Sequence, residues 1–257
     1  MIDTHCHLDS PLFDPDRDEV MRRAHTEGVQ ALVVPAIRPS TWGNLSNLKG
    51  RHGNVFLALG IHPQAVPEVS SDELLAVDSL AEAISRTGAV AVGECGLDGS
   101  TSCKELQEKL FCAQIGVARE LRLPLLVHVV KAHDVTPGLL KRERAFEVGG
   151  ILHSYSGGAS LLPYYQDLGF AFSLAGPVTY PGARRPLESA RAVPAELLLA
   201  ETDAPDQAPF PYRRQRSEPA FLREIVAGLA RAREEEFALT ATRVTENARR
   251  ILRLPSF

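Results

Sequence analysis

Short apolar or β-branched runs, each bounded by Gly, Pro, Asp or His, alternate along this chain with longer amphipathic stretches. No other feature constrains the fold as much, because such alternation is the signature of repeated βα units around a parallel sheet. Eight strand candidates are legible: 1–7, 29–37, 55–62, 89–94, 124–128, 150–153, 169–173 and 197–203. Helix-like segments include 72–87, 104–121 and 133–147, and two more, 218–235 and 240–251, follow the last strand. Near-continuous apolar runs such as Ala31-Leu32-Val33-Val34 suit strands covered on both faces. Eight βα units need about 250 residues, and the chain has 257. The expected fold is therefore a single (β/α)8 TIM barrel over residues 1–257, preferred to a doubly wound sheet, with its site at the C-terminal mouth of the strands. The Pro- and Arg-containing stretch 202–217 reads as a loop within that domain, because only helices follow it.

Composition removes several classes. Apolar residues make up 44% and charged residues 23%, which excludes disordered, collagenous and disulfide-scaffold chains. No apolar run reaches the ~18 residues a membrane helix requires, and Met1-Ile2-Asp3-Thr4-His5 lacks the layout of a signal peptide. A soluble cytoplasmic protein without a membrane partner is expected. Four cysteines without a CxxC pair read as reduced small side chains. The net charge of −4 gives no overall basic footprint, but the segment 211–257 holds ten Arg, no Lys and six acids. A nucleic-acid partner would be held locally.

The chemistry-bearing residues gather at strand ends. His5, His7, His62, His128 and His153 lie at the ends of four strand candidates, and Glu94 and Asp203 lie at two more. In a barrel those ends surround one mouth, where barrel enzymes keep their active sites. His5-Cys6-His7 sets two imidazoles at i and i+2 on one face of a strand, ~6.6 Å apart along its axis. Glu94 is flanked by Gly93 and Gly96, where the backbone can turn sharply and let an ion approach. Glu201 and Asp203 share a face of the last strand.

Singly, each has a plainer reading: a surface His pair, a solvated turn carboxylate, hydrogen-bonded core histidines, or an N-cap Asp before Pro205. Jointly, four imidazoles (His5, His7, His128, His153) and two carboxylates (Glu94, Asp203) form a nitrogen and oxygen donor set suited to Zn²⁺, with Mn²⁺ or Mg²⁺ possible. Six ligands exceed what one open tetrahedral ion takes, but they suit two ions sharing a carboxylate. A two-metal hydrolase follows. Two divalent ions outweigh two carboxylates and a hydroxide, so an anionic substrate such as a phosphodiester is favoured.

The set of motifs resembles the TatD family of metal-dependent deoxyribonucleases, within the amidohydrolase-like barrels. The resemblance rests on Ile2-Asp3-Thr4-His5-Cys6-His7-Leu8, Gly60-Ile61-His62-Pro63, Gly93-Glu94-Cys95-Gly96-Leu97-Asp98, His128, His153-Ser154-Tyr155-Ser156-Gly157 and Glu201-Thr202-Asp203-Ala204-Pro205, with Glu218-Pro219-Ala220-Phe221 and Asn247-Ala248-Arg249 in the tail. It implies a DNase that trims single-stranded DNA ends. In that reading His5, His7, Glu94 and Asp203 hold one ion, and Glu94, His128 and His153 hold the second. Asp203 takes the proton of the attacking water, His62 contacts the scissile phosphate, and Arg213 and Arg216 hold the DNA backbone. The chain departs from the family at Gly99, Ser100, Val130, Lys131, Asp206, Arg214, Gln215 and Ser217, all around the substrate. Two alternatives therefore stay open: hydrolysis of a smaller C–N or ester substrate on the same metals, and a nuclease-like component of a larger assembly.

Overall fold

The computed structural model describes residues 1–68 and 76–255. Eight parallel strands occur in the order β1 (Ile2–Asp3), β2 (Ala31–Pro35), β3 (Val55–Leu59), β4 (Ala91–Asp98), β5 (Leu125–Val130), β6 (Gly150–Leu152), β7 (Phe170–Leu174) and β8 (Leu198–Ala200), and sheet order follows chain order. This is the (β/α)8 barrel class that the alternation predicts. The intervening helices are α1 (Arg17–Thr26), α2 (Trp42–Arg51), α3 (Leu80–Thr87), α4 (Lys104–Leu121), α5 (Thr136–Arg142), α6 (Leu162–Gln166) and α7 (Arg184–Ala192). After β8 come α8 (Leu222–Arg233) and α9 (Phe237–Leu252). The start of the helix expected over 72–87 lies outside the described residues. No helix among them is long and apolar enough to cross a membrane.

Two compact units are distinguished. The first comprises Met1–Val34, His153–Leu162 and Phe172–Phe257. In it β1 pairs with β2 (Ile2 opposite Ala31), β7 pairs with β8 (Phe172 opposite Leu198), and β8 returns beside β1. That return is sealed by Thr4, whose backbone N and Oγ1 both donate to Ala200 O, at 3.3 and 3.1 Å. Asp3 is wholly buried there. It accepts from Thr202 Oγ1 (2.6 Å), Thr202 N (3.0 Å) and His5 N (3.3 Å), so one carboxylate ties the segment after β1 to the segment after β8. Burial pushes this carboxyl up to about 8, against the pull of those hydrogen bonds.

The second unit comprises Pro35–Leu152 and Pro163–Ala171, with β3 to β6 paired in sequence. Its long helix α4 buries Gln107, Leu110, Phe111, Gln114, Ile115 and Ala118, one i, i+3, i+4 stripe. Two members of that stripe are polar for a structural reason. Gln114 accepts from Ile61 N (2.7 Å) and donates to Ile61 O (3.3 Å), while Gln107 accepts from Asp98 N (2.9 Å) and donates to Asp98 O (3.3 Å). They satisfy backbone groups where β3 and β4 leave their ladders, groups that burial would otherwise leave without a partner.

β4 runs four residues past Glu94 and β5 two past His128, so these side chains sit within strands and not at their tips. The register shifts between Val92 and Cys95, a bulge at Gly93-Glu94, after which pairing resumes with Cys95 opposite Val127 and Gly96 opposite His128. The glycines are explained by that close approach. Gly96 has φ 134°, and a Cβ there would stand 2.0 Å from His128 O; at Gly93 (φ 148°) it would stand 2.3 Å from Leu126 O. The sequence reading gave their room to an ion, but the neighbouring strand occupies it.

Candidate metal centre

In the first unit, β1 stops at Asp3, so His5 and His7 lie beyond the strand and backbone bonds position them instead. Cys6 N donates to Val33 O (3.0 Å), His7 N to Ala204 O (2.8 Å) and Asp203 N to His5 O (2.9 Å). The two Nε2 atoms approach to 3.2 Å with the rings edge to face. Asp203 Oδ1 lies 3.6 Å from His5 Nε2 and 3.8 Å from His7 Nε2. Two imidazole nitrogens this close either share one proton or direct both lone pairs at one cation, and the carboxylate oxygen is a third donor. The donor set fits a divalent ion. Strand alternation predicts the shared face of His5 and His7, but their convergence comes from the loop.

His153, one residue past β6, stacks on His5 with centroids 3.9 Å apart. Its Nδ1 lies 3.3 Å from Oε1 of the fully buried Glu201, which also accepts from Ser154 N at 2.5 Å. Donation to Glu201 keeps the proton on Nδ1 and makes Nε2 the lone-pair nitrogen, as metal-binding histidines require. Burial pushes the Glu201 carboxyl up, but its contacts, led by the His153 hydrogen bond, outweigh it and hold it below the usual range. Asp203 adopts a left-handed backbone (φ 51°) three residues past β8. Its Oδ2 accepts from the side-chain amide of Gln207, which also donates to Ser154 Oγ (2.7 Å).

In the second unit, Glu94 Oε1 lies 2.7 Å from His62 Nε2 and 3.1 Å from His128 Nδ1. His128 presents its other nitrogen to Asp98 Oδ2 at 3.3 Å, and Gln64 Nε2 donates to the same oxygen at 2.7 Å. The His128 hydrogen bond, outweighing burial and helped by Gln64, holds the Asp98 carboxyl well below the usual carboxylate range. Asp98 thus orients His128 as Glu201 orients His153. Gln64 N donates to His62 Nδ1 at 3.0 Å, so in a neutral His62 the proton sits on Nε2 and points at Glu94. His62, Glu94 and His128 are a second group whose ligand atoms lie within 4.8 Å of one another, as are His5, His7 and Asp203.

The six expected ligand residues thus fall into two groups: His5, His7, His153 and Asp203 in the first unit, Glu94 and His128 in the second. Sequence reasoning gave no role to Asp98, Gln64, Gln107, Gln114 or Gln207. Two buried glutamines on the apolar stripe of α4 were the visible signal for part of that set. The basic loop divides. The Arg213 guanidinium lies 4.6 Å over the Tyr180 ring. Arg216 sends NH1 to Asp16 Oδ1 (2.7 Å) and Leu12 O (2.8 Å) and NH2 to Asp16 Oδ2 (2.8 Å), so both terminal nitrogens are engaged within the protein.

The family model for TatD-related DNases matches residues 2–253. An uncharacterized metal-dependent hydrolase of Bacillus subtilis is 33% identical over 256 residues, 99% of each chain. A relative in Pantoea vagans, named as a 3'-5' ssDNA/RNA exonuclease, is 33% identical over 99% of this chain and 100% of its own. The crystal structure of the TatD homologue YjjV of Escherichia coli superposes with a TM-score of 0.92 at 30% identity, covering 99% of this chain and 98% of that one. With its motifs in family order and matches running end to end, this chain belongs to the TatD family of metal-dependent hydrolases.

Proposed function

We propose that the protein, acting as one domain over 1–257, is a phosphodiesterase that trims single-stranded DNA from an end. The observation that carries this reading is the pair of histidine–carboxylate groups, one buried and one part-buried, each already assembled within its own unit. The family supports it, as does the exonuclease name of the Pantoea relative. Two divalent cations, zinc by this imidazole-rich donor set or manganese or magnesium, would supply Lewis-acid charge at the phosphoryl group and activate water. His5, His7 and Asp203 would hold one ion and His128 and His153 the other, with Glu94 shared, as the family resemblance implies.

The remaining work falls to side chains. Asp203 Oδ1 accepts the proton of the attacking water, while the Gln207 amide keeps Oδ2 occupied and the carboxylate in one orientation. His62 would contact the scissile phosphate, as the family resemblance implies. Arg213, on the aromatic face of Tyr180, meets the backbone of the strand.

The test is metal-stripped protein, re-supplied with Zn²⁺, Mn²⁺ or Mg²⁺ and given end-labelled single-stranded DNA, RNA and duplex. Nucleotides are released in a metal-dependent way, and Glu94→Ala or Asp203→Ala lowers the rate by about 100- to 10,000-fold. Undiminished activity in both variants would sink the reading. Turnover of an amide or lactone with no oligonucleotide cleaved would install the smaller-substrate alternative.

A further inference from the structure

A cleft of about 180 Å³ opens in the first unit among the segments that follow β6, β7 and β8. One wall is apolar, formed by Leu174, Pro177, Val178 and Pro186; the polar groups are Ser154, Ser156, Gln207 and Arg185, and no carboxylate lines it. Its floor is continuous with the proposed centre, because Gln207 bridges Ser154 Oγ and the Asp203 carboxylate. The loop at its edge is pinned by Tyr155, whose hydroxyl donates to Gly158 O at 2.8 Å.

Arg185 is the informative member. Arg216 is spent on Asp16, and Arg23 on Glu218 and Asp16. Arg185, exposed beside Gly158 at the start of α7, has no ion pair or hydrogen bond among the described residues. A guanidinium at the rim of an acid-free cleft attracts a phosphate and offers it paired donors. The volume equals roughly six waters at ~30 Å³ each, room for a single ring and not for a base pair.

We propose that this cleft is a subsite for the nucleotide flanking the cleaved bond of a single strand: the ring of that nucleotide lies on the Pro177–Val178–Pro186 wall, Gln207 and Ser154 meet its polar edge, and Arg185 pairs with its non-scissile phosphate. This rests on the phosphodiesterase reading above and names where that reading's substrate is gripped. It also gives Gln207 two duties, holding Asp203 and sensing the occupied cleft.

Metal-loaded wild type, Arg185→Gln, Arg185→Lys and Ser156→Trp are compared on a labelled single-stranded oligonucleotide and on methyl p-nitrophenyl phosphate, a diester with no nucleoside. Thymidine 5'-monophosphate binding is measured separately by NMR titration. Arg185→Gln raises the oligonucleotide KM about tenfold or more, the share of one charge-assisted contact, and weakens the monophosphate by a similar factor. Arg185→Lys recovers part of both. Ser156→Trp, at an exposed lining position, blocks the cleft and raises KM without involving the arginine. Oligonucleotide KM and monophosphate affinity within twofold of wild type in both Arg185→Gln and Ser156→Trp overturn the subsite and leave the phosphodiesterase reading standing. Wild-type protein that cleaves the methyl diester but no strand overturns the nucleic-acid reading, and the subsite with it.

Discussion

Replacing Glu201 with glutamine isolates what a buried carboxylate does for its histidine. Glu201 is fully buried, and one oxygen, Oε1, receives both the His153 Nδ1 proton and the Ser154 amide. Glutamine keeps an oxygen at that place, so both donors stay satisfied and the geometry is preserved while the negative charge is lost. Without it the imidazole is a weaker base at Nε2, the atom assigned to the metal. Losing such outer partners costs about 10- to 100-fold in metal affinity, or about 1.4 to 2.8 kcal/mol. With the hydrogen bond retained, the expectation for Glu201→Gln is near tenfold. Glu201→Ala strands two buried donors, goes toward 100-fold, and loses about 1–3 kcal/mol of stability per donor. Zn²⁺ competition against a chromophoric chelator on stripped protein reads the affinity, thermal melts read the fold, and His153→Ala sets the full loss. If His153→Ala weakens binding and Glu201→Gln stays within twofold of wild type, the charge does not tune the histidine and the argument fails.

Arg216→Ala should act on stability more than on substrate, because its donors face Asp16 and its guanidinium lies 4.8 Å over the Phe13 ring. The pair is about a third exposed, so the loss is about 1 kcal/mol in denaturant unfolding; a tenfold rise in oligonucleotide KM at unchanged Tm would return Arg216 to the substrate. Hydrogen bonds from Arg216 and then Arg23 hold the Asp16 carboxyl well below the usual range. A depressed native pKa contributes stability that is present above the unfolded value of ~3.9 and lost as pH falls through the native one. Acid unfolding of the wild type should therefore steepen below about pH 4, and Arg216→Ala should flatten that slope; equal slopes would refute the link. Gly96→Ala drives a Cβ onto His128 O across the β4–β5 ladder, at a φ that alanine disfavours. It should cost about 4 kcal/mol or more, seen as insolubility or a collapsed Tm, and a well-folded variant with weakened metal binding would instead favour the ion-approach reading of the glycines.

The local rules of the chain fixed a great deal. Period and punctuation are properties of neighbouring residues, so all eight strands and the span of α4 could be read directly, and so could the choice of His5, His7, Glu94, His128, His153 and Asp203 as the candidate ligands. Strand ends and side-chain directions were another matter. Ladder partners decide them: Gly96 faces His128 because β4 resumes pairing after a bulge, and His5 meets His7 through bonds to Val33 and Ala204, not through strand alternation. Asp98 and Glu201 are ordinary polar residues until a histidine from a distant segment comes within 3.3 Å, and Gln207 until its amide links Asp203 to the distant Ser154. The resemblance assigns Arg216 to the DNA backbone, and nothing in its own neighbourhood along the chain shows that Asp16, 200 positions away, is its partner. The sequence chose the groups and their order along the chain; only the tertiary structure, through contacts that span up to 200 residues, decided which of them are held and which are oriented.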